Sequence, residues 1–177
     1  MPFRHGSRTV LRLLFAAALV ASCAAGVRAQ GDEIDEGERS DALELFKRGQ
    51  TAHEQGLRGN DKERLAAALE FYEEAIKLRP EFPEAEYQRG LLLSSLGRAA
   101  EGEKALRRAA ELRPAWSMPY ASLGLLLARA GRDRDAEPLL RRAAELDAAN
   151  LEAAAALADL RARADDPRGA LELWRRV

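Results

Sequence analysis

Cysteine is almost absent from this chain: Cys23 is the only one in 177 residues, so no C-x-x-C can form. Histidine is nearly as scarce, with His5 and His53 alone. So few imidazoles are a poor basis for a transition-metal site. Phosphate-binding and zinc-hydrolase signatures such as G-x-x-x-x-G-K, G-x-G-x-x-G and H-E-x-x-H are missing too. A convergent set of nucleophile, base and charge stabiliser cannot be assembled, which argues against an enzyme. β-Branched aliphatics are rare: Val10, Val20, Val27 and Val177 are the only valines, Ile34 and Ile76 the only isoleucines. Aromatics make up only 6%. Such a chain is poorly suited to strands. The net charge of −1 offers nothing for nucleic acid to bind. What fills the composition instead is Ala and Leu, both strong helix formers.

The first 29 residues stand apart. Arg4, His5, Arg8 and Arg12 form a basic start without an acid, followed by an apolar run from Leu13 to Gly26. The run is short for a transmembrane helix. Small residues at Val27-Arg28-Ala29 complete the layout of a signal peptide, with cleavage expected between Ala29 and Gln30. An ordinary core helix has no need of such a leader. Cleavage would also remove Cys23, leaving a cysteine-free chain suited to an oxidising compartment. A second reading takes Val20-Ala21-Ser22-Cys23 as a lipobox, with Cys23 the lipidation residue. Residues 30–40 are acidic and nearly devoid of apolar groups, which predicts a disordered linker. Asp41 with Glu44 fits a capping box that would open the first helix.

From there the sequence repeats itself. Glu73-Glu74-Ala75-Ile76-Lys77-Leu78-Arg79-Pro80 returns as Arg107-Arg108-Ala109-Ala110-Glu111-Leu112-Arg113-Pro114, then as Arg141-Arg142-Ala143-Ala144-Glu145-Leu146-Asp147-Ala148. The spacing is 34 residues, a period that marks a helical solenoid with two helices per unit. Small residues recur at Gly49, Gly90, Gly124 and Ala158 in the first helix. A second column, Gly56, Gly97, Gly131 and Asp165, predicts the first-helix ends. In the second helix Ala68, Gly102, Ala136 and Ala170 are followed four residues on by Tyr72, Leu106, Leu140 and Trp174. The first unit has seven extra residues near 57–64, polar enough to predict a long loop.

These columns, with Pro80 and Pro114 after the second helices, resemble the tetratricopeptide repeat, in an exported bacterial form. The resemblance implies an all-α, right-handed superhelical solenoid of antiparallel helix pairs. Its units would be 41–82, 83–116, 117–150 and a partial fourth, 151–177. Some positions depart from the family pattern. Leu45, Glu86 and Ala154 stand where an aromatic is usual, and Arg48 and Arg89 where a leucine is usual.

In the family, first helices line a concave groove that takes a peptide. Carried over column by column, the groove would contain Phe46, Gln50, His53 and Glu54, then Glu84, Tyr87, Leu91 and Ser95. Met118, Leu125 and Arg129 follow, with Asp159 and Arg163 last. An apolar floor with polar margins suits peptide anchors. The columns that clamp a terminal carboxylate in some members hold Phe46, Gln50, Gln88, Met118 and Ser122 here, with no cation among them. Arg107-Arg108, Arg141-Arg142 and Arg175-Arg176 could form an outer basic ridge. Local pairs such as Glu73–Lys77, Arg107–Glu111 and Arg141–Glu145 are the plainer reading. Leu171, Trp174 and Val177 share a face with no further unit to cover it, which predicts an exposed Trp174 and a route to self-association.

The expected protein is thus a non-enzymatic scaffold, periplasmic or secreted, that holds a protein or peptide and needs no cofactor. Contact with a membrane would come only through a lipid anchor. Two alternatives are an outer-membrane lipoprotein that assists assembly, acylated at Cys23, and the binding module of a longer enzyme.

Overall fold

The computed structural model describes residues 36–175. The leader, the Ala29–Gln30 cleavage site, Cys23 and Val177 lie outside the described residues. Within them the chain forms eight α-helices and no strand: α1 (Glu36–Gly59), α2 (Lys62–Leu78), α3 (Pro83–Ser95), α4 (Ala99–Leu112), α5 (Ser117–Arg129), α6 (Asp133–Leu146), α7 (Leu151–Arg163) and α8 (Pro167–Trp174). Each odd-numbered helix pairs with the next as a hairpin, and each second helix then packs on the following first helix. First helices also touch one another, α1 with α3, α3 with α5 and α5 with α7. This is the solenoid that the 34-residue period predicts.

Close approach of the helices depends on the small column. A Cβ added at Gly124 would lie 2.6 Å from Leu140 Cγ, too near for any real contact. The same small-against-bulky crossing recurs between Gly49 and Tyr72 and between Gly90 and Leu106. Tyr72, Leu106 and Leu140 are in consequence fully buried. Two of the predicted helix ends are confirmed: Gly97 (φ 80°) and Gly131 (φ 73°) leave the helix in the left-handed region. Asp165 takes the same conformation (φ 62°) despite its side chain, which costs more than glycine would.

The first hairpin differs from its sequence reading in two ways. α1 begins at Glu36, five residues before Asp41, so residues 36–40 belong to the helix and the Asp41–Glu44 capping box is not its start. Glu36 and Glu38 in the first turn favour the positive end of the helix dipole. The seven extra residues do not make a long loop. α1 runs past Gly56 to Gly59, α2 begins early at Lys62, and only Asn60 and Asp61 connect them. Asn60 turns through φ 48°, and the Asp61 carboxylate accepts hydrogen bonds from the backbone N–H groups of Glu63 (3.0 Å) and Arg64 (3.1 Å). That N-cap satisfies free amides of α2. Seven residues are about two helical turns, one for each arm of the hairpin. Gly56 is therefore a buried helix residue against Leu65 rather than a helix end.

The core runs through the stack in two clusters. One surrounds the first hairpin and Phe82; the other extends from Tyr87 to Leu160. Aromatic rings join the first units. Phe46 meets Phe82 with centroids 4.9 Å apart, and one period later Tyr87 meets Trp116, also at 4.9 Å. Phe82 and Trp116 stand at the N-caps of α3 and α5, where neither supplies a capping hydrogen bond. Each is covered instead by an arginine, Arg79 at 4.6 Å and Arg113 at 5.0 Å from the ring centroid. Burial of the rings and the cation–π contacts replace the missing cap.

Candidate functional site

α3, α5 and α7 pack against second helices on both sides and keep one stripe uncovered, while α1 packs on a single second helix, α2, and is exposed more widely. On α3 the stripe is Glu84, Gln88, Leu91 and Ser95; on α5, 34 residues later, it is Met118, Ser122, Leu125 and Arg129. On α7 the same register gives Glu152, Ala156, Asp159 and Arg163. α1 contributes Leu43, Lys47, Gln50 and Glu54. Because α1, α3, α5 and α7 touch in succession, the four stripes lie side by side on one face.

Most of the groove residues read from the sequence fall on this face, but three do not. Phe46 is buried against Phe82 and Tyr72, and Tyr87 is buried under Trp116. Both columns are sealed because the aromatic that leads into the next first helix lies over them. The Tyr87 hydroxyl still reaches Ser122 Oγ on α5 at 3.3 Å, tying the two helices together just beneath the stripe. His53 is half-buried, with Nδ1 3.3 Å from the Tyr72 hydroxyl and the two rings edge to face. Burial lowers its pKa and burial raises that of Tyr72, so both stay neutral near pH 7 and act as packing groups. Leu43, Lys47, Glu152 and Ala156 were missed by the column reading. Positions in register with the uncovered stripes, 34 residues apart or 41 across the insertion, are the signal that finds them.

Chemically the face is mixed. Met118 is 43% exposed and Leu91 and Leu125 are half-buried, forming an apolar strip in the middle. Glu84 on one side is held by an ion pair with Arg113. Arg163 reaches Asp133 at 3.3 Å. Among the described residues no group of His, Cys, Asp or Glu is placed to hold a metal, and no helix is long and apolar enough to cross a membrane.

The opposite, outer face is locally neutralised. Arg107 pairs with Glu103 at 2.8 Å and Arg141 with Glu137 at 2.5 Å, each four residues toward the N-terminus, rather than with Glu111 and Glu145. Those two carboxylates pair with Arg108 and Arg142. Glu103 also takes Arg132 of the next unit at 2.7 Å, and these contacts hold its pKa down, Arg107 chiefly. The arginines of the ridge on α4 and α6 are thus already matched by carboxylates of their own helices, while Arg176 lies outside the described residues. Two departures from the repeat pattern also explain each other. Glu86, 5% exposed, sits 2.8 Å from Arg89, so an ion pair replaces the usual aromatic and leucine. Burial raises the Glu86 pKa against the opposing pull of Arg89, Arg108 and Lys104.

Comparison with known proteins agrees with this geometry. Residues 60–82 and 84–115 match the family model for the tetratricopeptide repeat. No curated protein matches the chain. Among solved structures, MamA is similar at 18% identity and TM-score 0.68, over 99% of this chain and 94% of that one. YrrB, described as a tetratricopeptide protein with an unusual peptide-binding site, is similar at 21% identity and TM-score 0.65, over 80% of this chain and 68% of that one. The first tetratricopeptide domain of Spaghetti, bound to an HSP90 peptide, is similar at 21% identity and TM-score 0.64, over 71% and 94%. The chain carries tetratricopeptide repeats, stacked as the helical hairpins of a tetratricopeptide solenoid.

Proposed function

We propose that this protein is an exported interaction module that holds a protein or peptide on the uncovered face of its first helices, without catalysing a reaction. The observation that carries the reading is the set of four stripes in register, with an apolar strip at Met118, Leu91 and Leu125 between polar margins. Two structural neighbours described as binding peptides support the use of such a fold for this purpose. A ligand clamped by its terminal carboxylate fits poorly, since Gln50, Gln88, Met118 and Ser122 supply no cation and Phe46 is buried.

The test is capture of partners from a native envelope with the full chain as bait. Met118→Ala with Leu125→Ala should weaken capture by more than about 1 kcal/mol if these are anchors. Changing Arg107, Arg108, Arg141 and Arg142 together to Gln should matter less. Loss of the partner by the arginine variant alone would assign binding to the outer face. Tyr87 is unsuitable as a probe, because its removal would open the core. Export is tested by the intact mass of the native protein, where cleavage after Ala29 and acylation at Cys23 give different values.

A further inference from the structure

The uncovered face changes character along the stack. On α3 its acid, Glu84, is already engaged by Arg113. On α5 the stripe turns apolar at Met118 and Leu125, with Ser122 held by Tyr87. On α7 two carboxylates, Glu152 and Asp159, stand on one stripe seven residues apart. At about 1.5 Å of rise per residue they are roughly 10 Å apart along the helix. Both are exposed, and neither has an ion pair or hydrogen bond among the described residues. Glu152 and Asp159 stand in register with Met118 and Leu125, one helix over, and α5 touches α7, so the two acids border the apolar strip. The cations nearby are Arg129, which closes the α5 stripe at its far end, and Arg163, which is occupied by Asp133.

An apolar strip flanked on one side by two unpaired acids has a defined complement. We infer that the face formed by α3, α5 and α7 seats a cationic amphipathic peptide, whose apolar side chains rest on Met118, Leu91 and Leu125 while Lys or Arg residues reach Glu152 and Asp159. This rests on the reading of the face as a peptide seat and adds the charge of the occupant. The apolar contacts supply the buried area, and the carboxylates select the sign of charge and speed encounter. A spacing of about 10 Å suits cations seven residues apart on one face of a helix. The Spaghetti domain was solved with the HSP90 peptide SRMEEVD, whose last four residues include three acids; Glu152 and Asp159 would repel a peptide of that charge.

The experiment uses the full chain and three fluorescein-labelled peptides of about 16 residues, read by anisotropy. All three share leucines at helical spacing; the remaining positions carry Lys, Gln or Glu. The Lys peptide should bind about tenfold more tightly than the Glu peptide at low salt, and the gap should narrow as salt is added. Glu152→Lys with Asp159→Lys should reverse the order. Glu70→Lys with Glu74→Lys, the same charge change on the exposed side of α2, should leave it intact. Thermal melts of each variant confirm that it is folded. Equal affinity for the Lys and Glu peptides, or an equal effect of the α2 variant, would overturn the charge assignment while leaving the peptide seat standing. If no peptide binds, or Met118→Ala with Leu125→Ala binds all three undiminished, the seat itself is misplaced and the inference falls with it.

Discussion

The junctions between units are built differently at the two ends of the stack. Toward the N-terminus, Phe46 stacks with Phe82 and Tyr87 with Trp116, each pair capped by an arginine over the second ring. At the third junction the same two positions hold Ala121 and Asn150. There the rings are replaced by a hydrogen bond: Asn150 Oδ1 accepts the Ala153 N–H at 3.0 Å and caps α7. The last hairpin then buries mostly alanines, Ala153, Ala154, Ala158 and Ala170, with Leu157 and Leu160. Its outer residues Leu171 and Trp174 are 52% and 45% exposed. An aromatic pair is worth about 0.5–1.5 kcal/mol beyond its buried area, and alanines bury little area at all. One backbone plan is therefore held by ring packing at one end and by capping and small-residue contact at the other. The second end should open first in hydrogen exchange.

The sharpest way to test this contrast is to delete one aromatic from each end. Tyr72 is fully buried against α1, where its ring meets those of Phe46 and His53. Tyr72→Ala should cost about 3–5 kcal/mol in urea denaturation. Trp174→Ala, at a half-exposed site, should cost about 1 kcal/mol or less. A similar loss for both would mean that the last hairpin is as well packed as the first.

Next in size is the helix crossing of the third unit. Ala136 is fully buried, and its carbonyl oxygen lies 3.3 Å from where a Cβ on Gly124 would stand. Ala136→Leu should destabilise by about 1–3 kcal/mol, because the larger side chain must separate the helices. Arg134→Leu, on the exposed side of the same helix, should stay within about 0.5 kcal/mol. Thermal melts compare the two directly. At the third junction, Asn150→Ala should cost about 0.5–2 kcal/mol through loss of the cap. The loss should appear as faster amide exchange in α7, with little change in α3, whose N-cap Phe82 makes no such bond.

The smallest expected effect concerns pH and belongs to the first hairpin. Burial lowers the pKa of His53 below its ordinary value of 6.5. The unfolded chain therefore binds a proton more readily than the folded one. The stability that comes from keeping His53 neutral is full above pH 6.5 and is lost as pH falls below it. Protection of α1 and α2 amides, corrected for the intrinsic pH dependence of exchange, should fall over that interval, that of α7 and α8 should not change, and His53→Gln should flatten the profile. A response confined to α7 and α8 would refute the assignment.

Much of this architecture was legible in the sequence because the repeat constrains it twice, through the small column and through the bulky column opposite. Gly124 and Leu140 had to meet once the period was recognised. What escaped was whatever depends on a neighbour outside the repeat pattern. The columns of Phe46 and Tyr87 face the groove by register, yet Phe82 and Trp116 fold over them, and nothing in the spacing says that a linker ring will do so. The polar residues of 57–64 read as loop by composition. Leu57, Arg58, Lys62 and Glu63 are adequate helix formers, and the Asp61 cap moved the turn to Asn60. The Glu86–Arg89 pair was visible only as two separate misfits until the geometry joined them.

The lengthened first hairpin has a consequence for how this chain can vary. In an antiparallel pair, residues added at the tip leave every contact below it unchanged, and the only demand is that the arms can still be joined. An extra turn on each arm returns both ends to the faces from which a two-residue link closes, and it adds a further crossing at Gly56 and Leu65. An addition of three or four residues shared between the arms would leave each about half a turn out of phase and point their ends away from each other. Allowed lengths at this tip therefore come in steps of about seven. Trimming one such step, from Leu57 to Glu63, should give a hairpin of ordinary size, whereas trimming half as much should not close.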